Sequence, residues 1–245
     1  MSAGDGVIAS ESIAARVAAL DWPRIEAELE ARGCATTGPV LPPAECVALA
    51  GGYEDHAAFR SRVVMARHGF GRGEYRYYAY PLPELIAALR TALYRPLAAI
   101  ANRWEQALGR SGDYPAGHAS YLDRCHAAGQ CRPTPLLLKY GEGDYNCLHQ
   151  DLYGEMLFPL QSTFLLSTPE ENFSGGEFVM TEQRPRMQSR AEVVPLAQGE
   201  GVIFAVSQRP VRGTRGIHRV SMRHGVSRLR AGRRFSLGVI FHDAT

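Results

Sequence analysis

The stretch Tyr-Gly-Glu-Gly-Asp-Tyr-Asn-Cys-Leu-His-Gln-Asp occupies residues 140–151 and ends in a histidine and an aspartate two positions apart. A β-strand is predicted over residues 144–150. Because alternate residues of an extended chain point to the same face, His149 and Asp151 can reach one ion together. A second histidine from a distant strand would complete a set of two imidazoles and one carboxylate, which leaves three coordination sites open. The stretch therefore predicts part of a metal site.

Two histidines of one predicted strand, at residues 216–224, are candidates for the third ligand. His224 lies ten residues before Arg234, which enters the last predicted strand, and His218 lies ten residues before Arg228. Both histidines fall on the same strand face, so periodicity alone leaves both open. Arg228 falls in the turn before a glycine, where a side chain is poorly fixed. The sequence therefore favours His224 as the ligand and keeps His218 as a residue that lines the substrate cavity.

Arg234 and Ser236 can form an anion site beside this metal. An arginine side chain is a planar, bidentate donor that stays charged. Ser236 shares its strand face and adds a hydroxyl. A 2-oxoacid dicarboxylate needs such a fixed cation for its far carboxylate, and the pair is predicted to supply one.

These motifs resemble those of the iron(II)- and 2-oxoglutarate-dependent oxygenase superfamily. Leu-His-Gln-Asp at 148–151 matches the AlkB-type repair dioxygenases. Gly-Gly-Glu-Phe at 175–178 and the ten-residue spacing from His224 to Arg234 are more similar to the prolyl-hydroxylase branch. The two widely spaced C-terminal arginines of the AlkB type are not evident in this sequence.

The resemblance implies an oxidoreductase of the 2-oxoglutarate-dependent dioxygenase class. Its cofactors would be Fe(II), 2-oxoglutarate and O2. The metal ligands would be His149, Asp151 and His224, and the contacts to 2-oxoglutarate would be Tyr140, Arg234 and Ser236. Tyr140 is assigned because it lies nine residues before the first ligand.

Residues 139–243 also resemble a bacterial family of oxygenases that act on damaged or methylated DNA. The similar strings are F-P-L-Q at 158–161, G-G-E-F at 175–178, E-Q-R-P-R-M-Q-S-R at 182–190, R-H-G-V-S-R at 223–228 and F-H-D-A at 241–244. This resemblance implies hydroxylation or oxidative demethylation of methylated bases in DNA. The alternative is a protein or peptide side-chain hydroxylase of the prolyl type. A non-catalytic jelly-roll binding module is a third reading, which the intact set of metal ligands disfavours.

The basic residues cluster toward the C-terminus although the net charge is only +2. Lys139 is the one lysine among 27 lysines and arginines. If DNA is the substrate, Arg184, Arg186 and Arg190 would form a phosphate-contacting loop, since phosphates are bound mainly by such side chains. The plain alternative is a solvated barrel rim with one substrate-binding arginine.

Apolar periodicity predicts an α+β fold in two parts. Residues 1–132 are expected to be mostly helical with a short hairpin, and residues 133–245 to form the oxygenase core. In the core, eight strands with short turns predict a double-stranded β-helix, or jelly roll. The helices are expected to pack on one of its sheets. The strands are predicted at 135–140, 144–150, 157–167, 177–182, 190–195, 201–206, 216–224 and 233–242.

The remaining features of the sequence exclude other classes of protein. No apolar run reaches the roughly 18 residues of a membrane span. Residues 1–10 lack the pattern of a secretion signal, so a cytoplasmic protein without a membrane partner is expected. Five cysteines without a C-x-x-C motif indicate neither a disulfide framework nor a zinc ribbon. The sequence leaves the oligomeric state open.

Overall fold

The computed structural model describes residues 11–152, 154–214 and 216–245. Residues 1–10, where no secretion signal is predicted, lie outside the described residues. The helices of the described part are α1 (Ile13–Ala18), α2 (Trp22–Arg32), α3 (Pro43–Gly51), α4 (Glu84–Ala107) and α5 (His118–Ala127). None of them is long and apolar enough to cross a membrane.

Local capping explains where the first two helices begin and end. The Ser12 side chain accepts a hydrogen bond from the Ala15 amide (3.3 Å), and Asp21 accepts one from the Arg24 amide (3.0 Å). Both residues satisfy amides that have no partner inside the helix. Gly33 ends α2 with a left-handed φ of 79°, which costs a glycine little. These caps therefore fix the start of α1 and both ends of α2.

The strands form two large sheets and one small one. They are β1 (Cys34–Pro39), β2 (Phe59–Val64), β3 (Gly71–Arg72), β4 (Glu74–Tyr78), β5 (Leu136–Tyr140), β6 (Tyr145–His149), β7 (Leu160–Leu165), β8 (Phe173–Gly175), β9 (Phe178–Gln183), β10 (Arg190–Val194), β11 (Glu200–Ala205), β12 (Gln208–Gly213), β13 (Gly216–Val226), β14 (Leu229–Gly232) and β15 (Arg234–Val239).

The two large sheets are the walls of a jelly roll. The major sheet has the order β1-β11-β7-β15-β5-β4-β2, and the minor sheet has the order β10-β9-β13-β6-β3, with β12 paired to β13. All pairings between these strands are antiparallel. The predicted α+β jelly roll is confirmed.

Five strands, β1, β3, β8, β12 and β14, were not predicted from the sequence, and each contains a turn-forming glycine or proline. β1 contributes an edge strand of the major sheet from the N-terminal part, and it includes Gly38 and Pro39. β12 includes Pro210 and Gly213 and forms a hairpin with the first half of β13. Glycine and proline normally mark loops, because proline lacks an amide donor and glycine lacks a side chain to pack. Pairing of β1 with β11 and of β12 with β13 overrides that preference here.

Strand alternation separates the helical layer from an internal cavity. On β5, Leu136 and Leu138 line the cavity, whereas Leu137 belongs to the apolar core that includes the buried residues of α4. This is the period-2 pattern of a strand with a different layer on each side.

A buried ion pair joins α4 to the C-terminal end of the chain. The Arg90 guanidinium lies 2.8 Å from the Asp243 carboxylate, and both side chains are almost fully buried. Arg90 Nε donates to the Ile240 carbonyl (2.7 Å), and Ile240 lines the cavity. The pair therefore anchors one wall of the cavity to the helical layer.

Candidate metal centre and co-substrate pocket

The register between β6 and β13 brings two histidines together. His149 and His224 are directly opposed partners, and their ring centroids lie 4.2 Å apart. Asp151 follows β6 by two residues, and its carboxylate oxygens lie 3.5 Å from His149 Nε2 and 3.4 Å from His224 Nε2. Each of the three residues offers one possible ligand atom, and these three atoms all lie within 4.8 Å of one another.

Hydrogen bonds around the cluster orient its donor atoms. His149 Nδ1 donates to the Cys147 carbonyl (2.7 Å), which leaves Nε2 to face the Asp151 carboxylate. Gln161 Nε2 donates to Asp151 Oδ2 (2.9 Å). Such outer contacts fix ligand orientation in metal sites.

The three groups influence one another's protonation. Burial raises the pKa of Asp151, but hydrogen bonds from His149 and His224 outweigh it and hold the pKa well below the usual range. Burial lowers the pKa of His224. Burial also lowers the pKa of His149, and the hydrogen bond and charge of Asp151 more than offset this, so the pKa is raised. Two imidazoles thus crowd an ionised carboxylate.

This donor set fits an Fe(II) ion. Two imidazole nitrogens and one carboxylate are the facial triad of non-haem iron oxygenases, with open positions for other ligands. All three residues line one cavity, so a bound ion would be accessible to ligands from that cavity. His224 Nδ1 is buried without a hydrogen-bond partner among the described residues. The atoms that could hold a cation are those that face one another, namely His149 Nε2, His224 Nε2 and the Asp151 carboxylate.

Arg234 lines the same cavity, and its guanidinium group is a buried positive charge. Its side chain is 2% exposed, and no carboxylate of the described residues forms a salt bridge with it. Its Nη1 donates to Ser236 Oγ (3.1 Å), while Nε is buried without a partner among those residues. Burial lowers the pKa of Arg234. A buried charge is costly unless it is paired, so this guanidinium fits an anionic ligand.

Tyr140 stands beside Arg234 on the neighbouring strand. The two are direct partners in the β5–β15 ladder, and the Arg234 guanidinium lies 5.7 Å from the centroid of the Tyr140 ring. The Tyr140 ring is fully buried, and burial raises the pKa of its hydroxyl. Tyr140, Arg234 and Ser236 therefore form one end of the cavity.

The cavity has a volume of about 190 Å³ and unites six predicted residues. They are His149, Asp151, His224, Tyr140, Arg234 and Ser236. One further wall is aromatic and comes from the hairpin region of the N-terminal part. Phe70, Tyr75 and Tyr77 line it, and Phe70 is 48% exposed.

Some cavity residues were missed by sequence reasoning. Gln161, which hydrogen-bonds to Asp151, lies in the string F-P-L-Q that carries part of the family resemblance, so a signal existed. Asn146 and Thr163 also line the cavity, and they lie in predicted strands whose inward face was not assigned. Tyr75 and Tyr77 lie on the same face of β4. The sequence does not reveal whether that face points toward the cavity or toward the helices.

The other predicted substrate residues lie away from the metal cluster. His218 is six residues along β13 from His224, roughly 20 Å in an extended strand, and it is not among the residues that line the cavity. Arg184 and Arg186 lie in the loop between β9 and β10, and Arg190 begins β10. Arg184 and Arg190 both lie near the Glu182 carboxylate, at 2.7 Å and 3.8 Å.

Comparison with known proteins places the chain among oxygenases. A family model described as "Oxygenase, catalysing oxidative methylation of damaged DNA" matches residues 73–244. The uncharacterized protein Rv2227 of Mycobacterium tuberculosis is 51% identical over 164 residues, which cover 67% of this chain and 70% of that protein.

Solved structures share the fold at low sequence identity. A prolyl-4-hydroxylase of Pseudomonas putida has a TM-score of 0.52 at 15% identity and covers 89% of this chain and 96% of its own. An oxidoreductase of the 2OG-Fe(II) oxygenase family from Burkholderia pseudomallei has a TM-score of 0.52 at 15% identity, with coverages of 91% and 92%. The fold is that of 2OG-Fe(II) oxygenases.

Proposed function

This chain belongs to the Oxygenase-NA family, and on that premise we propose that its substrate is a methylated base in DNA. As an oxygenase it is an oxidoreductase. The observation that carries the proposal is a single cavity in which the metal-binding cluster and the buried Arg234 open onto an aromatic wall. The family description names damaged DNA, and the aromatic wall is what a planar base requires.

The side chains of this cavity divide the work of binding cofactor and co-substrate. His149, Asp151 and His224 would hold Fe(II). The bound metal would supply the activation of O2, coupled to loss of CO2 from 2-oxoglutarate and formation of succinate. Arg234 would pair its buried charge with the far carboxylate of 2-oxoglutarate, and Ser236 would fix the guanidinium. The surrounding apolar side chains keep water away from the reacting groups.

The aromatic wall supports a base as the substrate. Tyr75 and Tyr77 lie edge to face with ring centroids 5.4 Å apart, and Phe70 stacks on His68 at 5.3 Å near the outer end. Aromatic side chains stack on any base through its π face, at roughly 1–3 kcal/mol per base. A base in a duplex must be turned out of the stack to reach such a cavity. Phe70, which is 48% exposed, is therefore the residue of this wall most accessible to an entering base.

Hydroxylation of a protein or peptide side chain is the second candidate. The ten-residue spacing from His224 to Arg234 favours it, since that spacing is similar to the prolyl-hydroxylase branch. The likeness to a prolyl-4-hydroxylase structure concerns the fold alone. A proline ring would gain less than a base from the three-residue aromatic wall, because it has no π face.

One experiment tests both candidates. The iron-loaded protein is incubated with 2-oxoglutarate and O2 and with panels of methylated oligonucleotides and of peptides, and mass spectrometry follows each substrate. We expect loss or oxidation of a methyl group on an oligonucleotide, with equivalent succinate. Oxidation of a peptide alone would reject the DNA assignment. His218→Ala serves as a control, because His218 lies on β13 but outside the cavity.

A further inference from the structure

We propose that a basic groove on the outer face of the minor sheet binds the phosphodiester backbone beside the substrate nucleotide. The inference rests on the proposed function. The groove has a volume of about 360 Å³ and lies between the β9–β10 loop and the β12–β13 hairpin. Its polar lining residues are Gln183, Arg184, Arg186, Gln208, Arg219 and Ser221. A proline is the only other described lining residue, so the lining contains no acid.

Three arginines give the groove its charge, and they are little compensated. Glu182 is the nearest acid, but it is buried and pairs with the buried Arg209 as well as with Arg184. Within the described part of the chain, no carboxylate lies within 4.0 Å of the guanidinium groups of Arg186 or Arg219. Arginine forks match the geometry of phosphate oxygens, so the groove fits a phosphodiester.

The loop that carries two of these arginines is held in place. Gln183 Nε2 donates to the Arg184 carbonyl (3.0 Å) and to the Met187 carbonyl. Arg219 lies on β13, opposite Pro210 of β12. The arginines therefore lie on a hydrogen-bonded turn and on a paired strand. Because this backbone is already held in place, the protein loses less conformational entropy when an anion binds.

The floor of the groove is hydrogen-bonded to the metal-binding segment. Gln150, between His149 and Asp151, donates through Nε2 to Ser221 Oγ (3.3 Å) and to the Met222 carbonyl (2.7 Å). Gln150 lines the cavity, and Ser221 lines the groove. The groove and the cavity are thus joined through the Gln150 side chain, and Ser221 lies three residues, roughly 10 Å, from His224 along β13.

This surface differs from the one predicted from the sequence. Arg184 and Arg186 line the groove, but Arg190 does not, and its guanidinium faces Glu182 instead. Arg219 replaces it and comes from a strand about thirty residues later in the chain. Arg186 and Arg219 are therefore the residues to test.

The test is binding of labelled single-stranded and double-stranded oligonucleotides to the full chain, by fluorescence anisotropy from about 50 to about 200 mM salt. We expect R186Q and R219Q each to weaken binding about equally for all sequences and to lower the salt slope by about one. Arg95→Gln is the matched control, because Arg95 is exposed on α4 and far along the chain from the groove. Binding of Co(II), followed by its absorption spectrum, should be unchanged in all three variants.

Two results of the binding experiment would overturn the groove. One is wild-type protein that binds no oligonucleotide at low salt, and the other is binding with an unaltered salt slope in the double variant R186Q/R219Q. Failure of the proposed function looks different. In that case groove variants still lose oligonucleotide binding, which supports the groove, while no methylated oligonucleotide is oxidised. Oxidation of oligonucleotides with equal efficiency by wild type and double variant would reject the groove alone.

Discussion

His149 and His224 are directly opposed across the β6–β13 pair, with ring centroids 4.2 Å apart. The register shifts immediately afterwards, between His224 and Val226, so the pairing is interrupted next to the cluster. Bulges of this kind redirect side chains and occur often beside active sites. Here both His224 and Val226 line the cavity.

Replacement of His224 should remove the metal, whereas replacement of His218 should not. His224→Ala deletes one of three donor atoms that lie within 4.8 Å of one another, and the remaining pair would hold an ion loosely. His218→Ala changes a residue outside the cavity. Metal content after dialysis, measured by mass spectrometry, distinguishes the two variants. Equal metal content in both would refute the assignment of His224.

Replacement of Arg234 should weaken 2-oxoglutarate binding. Arg234→Ala removes charge-assisted hydrogen bonds, each worth about 1.5–3 kcal/mol, so a loss of roughly tenfold to several hundredfold is expected. Arg234→Lys should recover part of it, because the charge remains while the bidentate geometry is lost. Titration calorimetry of the metal-loaded protein with 2-oxoglutarate measures the effect. Unchanged affinity in Arg234→Ala would mean that another residue binds the co-substrate.

Replacement of Phe70 should affect the nucleic-acid substrate and spare the co-substrate. Phe70→Ala removes a half-exposed ring at the cavity, and the loss of one stacking contact of roughly 1–3 kcal/mol should raise KM about tenfold or more. Phe70→Trp should retain most of the affinity. Quenching of a fluorescent base analogue in the oligonucleotide reports the stacking directly. Equal quenching by Phe70→Ala and wild type would exclude contact between this ring and the base.

Acid should destabilise the protein partly through His118. Burial lowers the pKa of His118 to about 4, helped by Arg90, while a hydrogen bond to the Phe241 carbonyl (2.8 Å) opposes the shift. Because the folded pKa lies below the unfolded one, about 6.5, the unfolded state binds more protons between these values. The stability contributed above pH 6.5 is therefore lost as the pH falls toward 4.

Urea unfolding of wild type and His118→Gln between pH 7 and pH 4.5 checks this prediction. The wild type should lose up to about 3 kcal/mol more than the variant over that interval, at 1.36 kcal/mol per pKa unit. His118→Gln will also have a lower stability at pH 7 if it loses the bond to Phe241, so the slopes are compared. Parallel curves for the two proteins would contradict the role of His118.

Several elements could be predicted from the sequence because their signals are local. Ser12, Asp21 and Gly33 mark helix ends through hydrogen bonds and φ angles within a few residues. Strands β5 to β7 follow from short strand-like segments with turn residues between them. β1 and β12 could not be predicted, because their glycine and proline residues indicate loops and only pairing with β11 and β13 makes them strands.

The candidate site was partly predictable for the same reason. The spacing of His149 and Asp151 places both on one side of an extended segment. Because Arg234 enters a predicted strand whereas Arg228 falls in a turn, the sequence favoured His224 over His218. Gln161, the aromatic wall and Arg219 come from other elements. Their approach depends on which strands pair and in which register, and the same alternating pattern is compatible with several partners.

The sequence by itself determined the donor types, the capped helices and the jelly-roll class, because these follow from residue chemistry and short-range periodicity. The tertiary structure alone decided that His224 faces His149, that Arg234 is buried without a carboxylate partner among the described residues, and that Arg219 joins Arg184 and Arg186 in one groove. Each of these depends on contacts between residues far apart in the chain. Such contacts are selected by the packing of the whole molecule, in which a one-residue slip of a strand would turn every side chain to the opposite face.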